Sequence, residues 1–275
     1  MRAETITSAQ NAKIKLLLEL QDKSKTRKKE GLFVVEGRRE LLHCIEAGYV
    51  PHTVFFCPEI INEADRAEIE QAIQKQNSAG SGKMPMAIEV PQQLYDKVAY
   101  RGGTEGVVAE MHCKELTLDS LNLKENPLIV VLESVEKPGN LGAVLRSADA
   151  SGVDAVIVCD PLTDMYNPNL IRSSIGAIFT VPVATAKSED AIAWLKEKGA
   201  KIYTAQLQNS EWYYDTDMKG ATAIVMGTEA TGLTNAWRNA ADAHIKIPML
   251  GRLDSLNVSV SAAILMYEAV RQRNS

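Results

Sequence analysis

The chain has 275 residues, of which 45% are hydrophobic and 24% are charged, and its formal net charge is −5. This size is typical of one large domain or two ordinary ones with sizeable cores. No stretch has the length of a membrane span, and the negative charge argues against unspecific binding of nucleic acid. The four Cys and four His are scattered without a metal-binding spacing, so the sequence predicts no metal site, reduced thiols and a cytoplasmic protein.

The basic residues are concentrated near the start of the chain. Residues 1–40 hold ten Lys or Arg against six Asp or Glu, a net +4, so the other 235 residues carry −9. On charge alone, such a run is most often a solvated surface, and a phosphate-binding surface is the alternative.

The first part of the chain alternates between helical and extended patterns. The expected helices are 8–22 with Ser8 as its cap, 39–47, 63–76 and 92–98, and the expected strands are 32–35, 54–57, 87–90 and 106–111. This alternation predicts a small α/β domain over residues 1–113. Residues 114–127 are polar and lack apolar periodicity, which predicts a linker.

The remaining residues, 128–275, predict a second α/β domain. It opens with a continuous apolar run over 128–132, which is typical of a buried parallel strand. The expected helices are 141–151, 168–177, 188–198, 234–241 and 257–272, and the expected further strands are 153–159, 178–183, 201–205, 221–226 and 244–247. Such alternation indicates a mostly parallel sheet with helices on both faces.

The first chemical motif of this domain is a helix start at Asn140, which suits an N-cap. Its apolar positions repeat with helical spacing at Leu141, Val144, Leu145 and Ala148. Arg146 lies on the opposite side, either facing solvent or aimed at the cleft at the strand ends, where open α/β sheets bind ligands. Gly139-x-x-Gly142 also resembles an incomplete dinucleotide-binding fingerprint. A nucleotide-binding oxidoreductase is therefore an alternative class.

The second motif is Gly227-x-Glu229-x-x-Gly232, in which a carboxylate follows a buried strand in a turn bounded by glycines. An ordinary strand-to-helix loop explains it as well as a functional site does, because loops at strand ends often carry sites.

The third motif runs from Ile247 to Ala263, with a break at Pro248 and polar Ser255 and Asn257 directly before a long helix. A helix start offers unpaired N–H groups to a ligand, and small residues allow close approach. The sequence predicts a cofactor loop leading into a helix. Since that helix is apolar on most sides, it is expected to be buried or packed against a partner.

Together, the three motifs resemble the SpoU (TrmH) family of RNA ribose 2′-O-methyltransferases over residues 128–272. The segments 33–38 and 106–108 look like the substrate-binding domain often fused ahead of these enzymes, which resembles a small ribosomal RNA-binding protein. The resemblance implies a SPOUT-like α/β domain with a C-terminal trefoil knot, S-adenosylmethionine as cofactor, and a homodimer formed through the catalytic domain. Its implied substrate is RNA, with ribosomal RNA preferred and transfer RNA as the alternative.

The resemblance also assigns roles to individual residues. It implies cofactor contacts from Gly227, Ile247, Met249 and Leu256. It implies that Arg146 meets the reacting hydroxyl and the adjacent phosphate. The residues that would orient Arg146 and the loops are Asn140, Glu229, Ser255 and Asn257. The residues that it favours as an RNA-binding surface are Lys23, Lys25, Arg27, Lys28, Lys29, Arg38 and Arg39.

Lys137 stands where the family commonly has an acidic residue, which puts the substrate contact there in question. A non-catalytic RNA-binding protein on the same fold is a third class.

Overall fold

A computed structural model of the chain describes residues 3–80, 84–99, 105–228, 231–252 and 255–275. The chain divides into two compact units. The first contains Met1–Lys114 and Asp164–Thr180, and the second contains Glu115–Thr163 and Val181–Ser275. Each unit has its own sheet and core.

Helices and strands alternate along most of the chain. In chain order they are β1 (Ala3–Thr5), α1 (Ala12–Asp22), α2 (Ser24–Glu30), β2 (Leu32–Glu36), α3 (Arg38–Glu46), β3 (Pro51–Phe56), α4 (Glu63–Ser78), β4 (Met86–Glu89), α5 (Gln92–Val98), β5 (Val107–His112), β6 (Leu128–Glu133), α6 (Pro138–Ser151), β7 (Ala155–Cys159), α7 (Pro168–Ser173), α8 (Ala177–Thr180), β8 (Val183–Ala186), α9 (Ser188–Glu197), β9 (Lys201–Ala205), β10 (Glu211–Trp212), β11 (Thr222–Met226), α10 (Asn235–Ala240), β12 (Ala243–Lys246) and α11 (Val258–Arg273). None of the helices in the described parts of the chain is long and apolar enough to cross a bilayer.

The sheet of the first unit has the order β1-β4-β3-β5-β2. β4 pairs in parallel with β1 and β3, whereas β5 pairs antiparallel with β3 and β2. Helix α1 begins after Asn11, whose side chain accepts a hydrogen bond from the Lys13 N–H, so the expected Ser8 cap is wrong. Ile14, Leu17 and Leu20 are spaced to share one face of α1, and they pack in the core of this unit.

The segment 164–180 belongs to the first unit, although it lies far along the chain. Aromatic rings hold it there: Tyr166 stacks on Phe33 with 4.4 Å between ring centroids, and Phe179 packs edge-on against Tyr49 at 5.2 Å. The expected strand over 178–183 is wrong, because residues 177–180 form α8 and the strand begins at Val183. A short apolar run fits a buried helical turn as well as a strand.

The sheet of the second unit is parallel throughout its described strands, in the order β10-β12-β9-β11-β6-β7-β8. Its central strands β6 and β11 are buried along their length and are apolar except for Thr222 and Glu133 at their ends, as expected of strands covered on both faces. This confirms the expected mostly parallel α/β fold. Since parallel strands point the same way, their carboxyl ends meet at one edge, where such sheets bind ligands.

Helices α6 and α11 pack against each other in the second unit. Helix α6 begins at Pro138 after Lys137, so the expected N-cap role of Asn140 is wrong, and Asn140 lies in the first turn. Proline is favoured at the first helical position because its φ angle suits a helix and the missing N–H is not needed there. Helix α11 is capped by Asn257, whose side chain accepts from the Ser259 N–H.

Candidate active site

A cavity of about 440 Å³ lies at the carboxyl ends of the parallel strands in the second unit. The last residues of β9, β11 and β12 line it, namely Ala205, Met226 and Lys246, together with the loops that follow these strands and the start of α11. Its volume lies within the range typical of sites for small molecules and cofactors, about 300–1,000 Å³.

The lining of this cavity combines apolar walls with polar groups. The apolar side chains include Leu233, Ile245, Ile247, Met249 and Leu256. The polar side chains include Gln206, Gln208, Thr228 and Ser255. A flat ring fits against such walls, while a few polar groups fix its orientation.

The loop after β11 forms one wall of the cavity and folds back tightly on itself. A Cβ atom on Gly227 would lie 2.3 Å from the carbonyl carbon and oxygen of Gly232, so only glycine fits there. Gly232 has φ +67°, and its N–H donates to the Thr228 carbonyl at 3.0 Å. The two glycines of the motif therefore close the turn that shapes the cavity.

A second, smaller cavity of about 120 Å³ adjoins the first, and both are lined by Gly227, Thr228 and Val258. Lys137 and Asn140, from the start of α6, line only the smaller one. The Asn257 amide donates to the Asn140 side-chain oxygen at 3.1 Å, and its own oxygen accepts from the Ser259 N–H at 2.9 Å. This hydrogen bond joins the starts of α6 and α11 at the edge of the site.

The structure brings most of the sequence-predicted site residues together. Ser255 lines the large cavity, as do the four residues expected to contact the cofactor, Gly227, Ile247, Met249 and Leu256. Asn140 and Asn257 meet beside it. Glu229 lies outside the described residues. Arg146 is exposed on α6 and lines neither cavity.

Sequence reasoning missed several residues of the large cavity, notably Gln206, Gln208, Arg238 and Lys246. The Lys246 ammonium lies 4.6 Å from the centroid of the Trp212 ring, a cation–π contact. The sequence contained one signal that could have identified Lys246 and the 206–208 loop. Lys246 ends β12, and the loop directly follows β9. Residues at carboxyl ends of parallel strands are expected at the ligand-binding edge.

The residues expected to form an RNA surface lie in different surroundings. Arg27 is only 3% exposed, and its guanidinium donates to Asp164 at 2.7 Å and to the Leu20 carbonyl at 2.6 Å. The expectation that Arg27 presents its charge to RNA is therefore wrong, since the charge is used inside the unit. Lys25 and Lys28 are exposed, and no ion pair of the described residues involves them.

The other basic side chains of this set pair with carboxylates. Lys23 pairs with Glu19 at 3.0 Å, Lys29 with Glu30 at 2.8 Å and Arg39 with Glu40 at 2.7 Å. Arg38 pairs with Asp65 and Glu68. These ion pairs partly neutralise the basic side chains that form them. Lys25 and Lys28 are therefore the strongest candidates for phosphate contacts.

Comparison with known proteins identifies both parts of the chain. Residues 127–267 match the model of the SpoU rRNA Methylase family, and residues 11–109 match the MRM3-like substrate binding domain. The chain is 30% identical to the 23S rRNA (uridine(2479)-2′-O)-methyltransferase of Streptomyces viridochromogenes, covering 99% of this chain and 94% of that protein.

The chain is also 30% identical to the 23S rRNA (guanosine(2553)-2′-O)-methyltransferase RlmP of Bacillus subtilis, covering 95% of this chain and 97% of that protein. Among solved structures, the AdoMet-bound rRNA methyltransferase from Sinorhizobium meliloti matches with a TM-score of 0.86 and 27% identity over 98% of both chains.

Together with the two family matches, the fold and the cavity at the strand ends define an α/β methyltransferase with an additional substrate-binding unit. The chain belongs to the SpoU rRNA Methylase family. This confirms the resemblance drawn from the three motifs, and with it the class of S-adenosylmethionine-dependent RNA 2′-O-methyltransferases. A nucleotide-binding oxidoreductase is excluded.

Proposed function

We propose that this protein transfers a methyl group from S-adenosylmethionine to a ribose 2′-hydroxyl of ribosomal RNA. The observation that carries the proposal is the large cavity, which is lined by all four residues expected to hold the cofactor and adjoins the Asn140–Asn257 pair. Relatives spanning nearly the whole chain are named as 23S rRNA methyltransferases, which favours ribosomal over transfer RNA.

The residues of the large cavity fit S-adenosylmethionine. Leu233, Ile247 and Leu256 offer apolar surface to a purine ring, and Gln206 and Thr228 offer polar groups to hydroxyls and to a charged amino-acid end. When bound, this cofactor supplies an activated methyl group on a sulfonium.

The protein's own task is to position the ribose hydroxyl and help it lose its proton. A hydroxyl is a poor nucleophile, so positioning and proton removal lower the barrier. Arg146 is permanently charged, so we assign it the role of an electrostatic activator that contacts the hydroxyl and the adjacent phosphate, with phosphate or water taking the proton. Asn140, Asn257, Ser255 and Glu229 orient Arg146 and the surrounding loops.

The position of Arg146 supports a homodimer formed through the second unit. Because Arg146 lines neither cavity of its own chain, we propose that it serves the site of a second copy. The neighbouring helix α11 carries an exposed stripe with helical spacing, including Val260, which is 47% exposed, and Tyr267, which is 50% exposed. A second copy packed on this stripe would bury it.

Two finer features of the fold are also proposed. The C-terminal segment forms a trefoil knot, which is supported by the insertion of β12 between β9 and β10 and by the return of α11 to α6. The first unit resembles a ribosomal RNA-binding protein, and its match to a substrate-binding domain supports its role as the RNA-binding unit, with contacts from Lys25 and Lys28.

The proposed reaction is tested with Arg146→Ala. We expect the variant to fold and bind S-adenosylhomocysteine as the wild type does, and to lose at least about a hundredfold in methyl transfer to ribosomal RNA, since electrostatic activation of this kind is worth several kcal/mol. Asp149→Ala, on the same helix, is the matched control. Wild-type transfer by Arg146→Ala would refute the role of Arg146. Methylation of transfer RNA but not of ribosomal RNA would refute ribosomal RNA as the substrate.

A further inference from the structure

A buried carboxylate lies at the carboxyl end of β6, the strand next to β11, and it does not line the large cavity itself. Glu133 is the last residue of β6, an otherwise apolar strand, and it is only 2% exposed. None of the ion pairs in the described parts of the chain involves it. An ionised carboxylate without a cationic partner is costly to bury unless hydrogen bonds compensate its lost hydration.

The compensating hydrogen bonds come mainly from one residue, Thr234. Its backbone N–H donates to Glu133 Oε2 at 2.8 Å, and its hydroxyl donates to Oε1 at 2.7 Å. The Ser188 hydroxyl lies 3.3 Å from Oε1, but it is closer to Asp160 Oδ2, at 2.6 Å, and it has one proton to give. Thr234 therefore supplies both of the short hydrogen bonds to the carboxylate.

Thr234 stands where the cavity-forming loop ends. It is the N-cap of α10, and it directly follows Leu233, which is buried and lines the large cavity. Three residues further on, Trp237 is fully buried and donates its indole N–H to the Ser188 hydroxyl at 2.9 Å. The end of the loop is thus fixed by hydrogen bonds to a carboxylate and by a buried aromatic anchor.

The start of the same loop is fixed by the neighbouring residue of β6. Met226, the last residue of β11, pairs with Leu132, and Leu132 precedes Glu133. The end of β6 therefore holds both ends of the 227–233 loop, through the sheet at Leu132 and through the side chain at Glu133. Within this loop, Gly227 leaves no room for a Cβ, and Gly232 has φ +67°, a backbone conformation that favours glycine.

We propose that Glu133 is a positioning residue for the cofactor: it holds Thr234 so that Leu233, Gly232 and Gly227 keep the positions at the large cavity in which they bind S-adenosylmethionine. This role rests on the proposed function. Glu133 would be missed in a search for residues that line the cavities, because it lines neither of them. Charge-assisted hydrogen bonds to a carboxylate are among the stronger ones, so their loss frees one end of the loop. Glu133 acts on affinity for the cofactor, whereas Arg146 acts on the methyl transfer itself.

The test compares Glu133→Gln with the wild type by calorimetric titration with S-adenosylhomocysteine. Glutamine keeps the volume of the side chain but removes its charge and turns one acceptor into a donor facing the Thr234 N–H. We expect the dissociation constant to rise about tenfold or more, equivalent to about 1.4 kcal/mol. In steady-state kinetics, KM for S-adenosylmethionine should rise while kcat at saturating cofactor stays within about twofold.

Glu110→Gln is the matched control, because Glu110 is another glutamate of 2% exposure, but in the first unit. It should leave affinity for S-adenosylhomocysteine unchanged. Thr234→Val removes the hydroxyl donor and should weaken binding, whereas Thr234→Ser keeps both donors and should bind as the wild type. These two variants test the proposal even if Glu133→Gln does not fold.

A lower melting temperature for Glu133→Gln with unchanged affinity for S-adenosylhomocysteine would overturn the proposal, because it would show that Glu133 has a purely structural role. Wild-type affinity in Thr234→Val would also contradict it. If the wild-type protein itself does not bind S-adenosylhomocysteine, the proposed function fails rather than this inference.

Discussion

Residues of the same type have different tasks in this protein, and their surroundings decide which. Arg27 and Lys28 are neighbours in a basic run, yet Arg27 is buried in contact with Asp164 and Lys28 is exposed. Gly227 lines both cavities and Gly139 precedes Asn140, which lines the smaller one, but only at Gly227 would a Cβ meet another backbone segment. Composition and spacing indicate a basic surface and a glycine turn, but burial of a single side chain depends on contacts between distant parts of the chain.

Gly227→Ala should abolish cofactor binding. The added Cβ would lie 2.3 Å from the backbone of Gly232, a separation that the loop can relieve only by opening. We expect at least about a hundredfold weaker binding of S-adenosylhomocysteine, close to 3 kcal/mol, measured by calorimetry. Gly139→Ala is the control, because a Cβ there meets nothing within 4 Å, and it should bind normally. Equal affinities for both variants would be inconsistent with the described loop.

Glu110 should make the stability of the first unit depend on pH. Burial raises the pKa of its carboxyl from 4.5 to about 7, against smaller opposing effects of Thr53 and Lys13. The folded protein therefore holds this proton more tightly than the unfolded chain does. Its contribution to stability is complete below pH 4.5 and is lost as the pH rises to about 7, a change of about 3 kcal/mol.

Urea unfolding at pH 5 and pH 8 tests this prediction. The free energy of unfolding of Glu110→Gln, measured relative to the wild type, should be higher at pH 8 than at pH 5. The reason is that glutamine cannot ionise, whereas Glu110 does. The exposed Glu46→Gln should follow the wild type. Parallel pH dependence in the wild type and Glu110→Gln would show that this carboxyl does not titrate in the window.

At the scale of elements, the sequence predicted most helices and strands, and the failures have physical reasons. Helix α5 was predicted with its observed bounds, and the apolar face of α6 is buried as expected. The strand expected over 178–183 is wrong because the three buried apolar residues of α8 are too few to show a helical period. The cap of α6 was misplaced because Pro138 begins the helix earlier. Helix α2 was missed because its seven residues are polar throughout.

The Arg27–Asp164 pair ties α2 to the segment 164–180 within the first unit, and Arg27→Ala should destabilise that unit. The change leaves the Asp164 carboxylate, which is 13% exposed, without its cation. Breaking a buried pair in this way costs about 3–5 kcal/mol. Lys28→Ala should change the free energy of unfolding by less than about 0.5 kcal/mol. Chemical denaturation of both variants measures the difference, and equal stabilities would mean that the ion pair contributes nothing.

At the scale of the whole molecule, the second unit was predictable as a class, but its site was predictable only in part. Ser255 and the four expected cofactor residues line one cavity because the second and third motifs both follow strands that end at the same edge. The Glu133–Thr234 hydrogen bonds join residues about a hundred positions apart, a separation over which sequence pattern carries no information. The inclusion of 164–180 in the first unit was hidden for the same reason.

The proposed homodimer gives a prediction at this scale. Val260→Asp combined with Tyr267→Asp places two charges on the exposed stripe of α11 and should convert a dimer into a monomer in light scattering, because charges are costly to bury at an interface. Activity should fall with dimerisation. As a control, Trp212→Asp alters another exposed aromatic residue of the second unit, on edge strand β10, and should leave the dimer intact. A monomeric wild-type protein with full activity would refute the dimer and the role of Arg146 across it.

A map of ribose methylation decides whether this protein methylates a ribose hydroxyl in ribosomal RNA. Ribose methylation is mapped across the ribosomal RNA of a strain lacking this protein and of the same strain supplied with the wild type or with Arg146→Ala. We predict one 2′-O-methylated nucleotide that disappears in the deletion, returns with the wild type and stays absent with the variant. An unchanged methylation map, or restoration by Arg146→Ala, would contradict it.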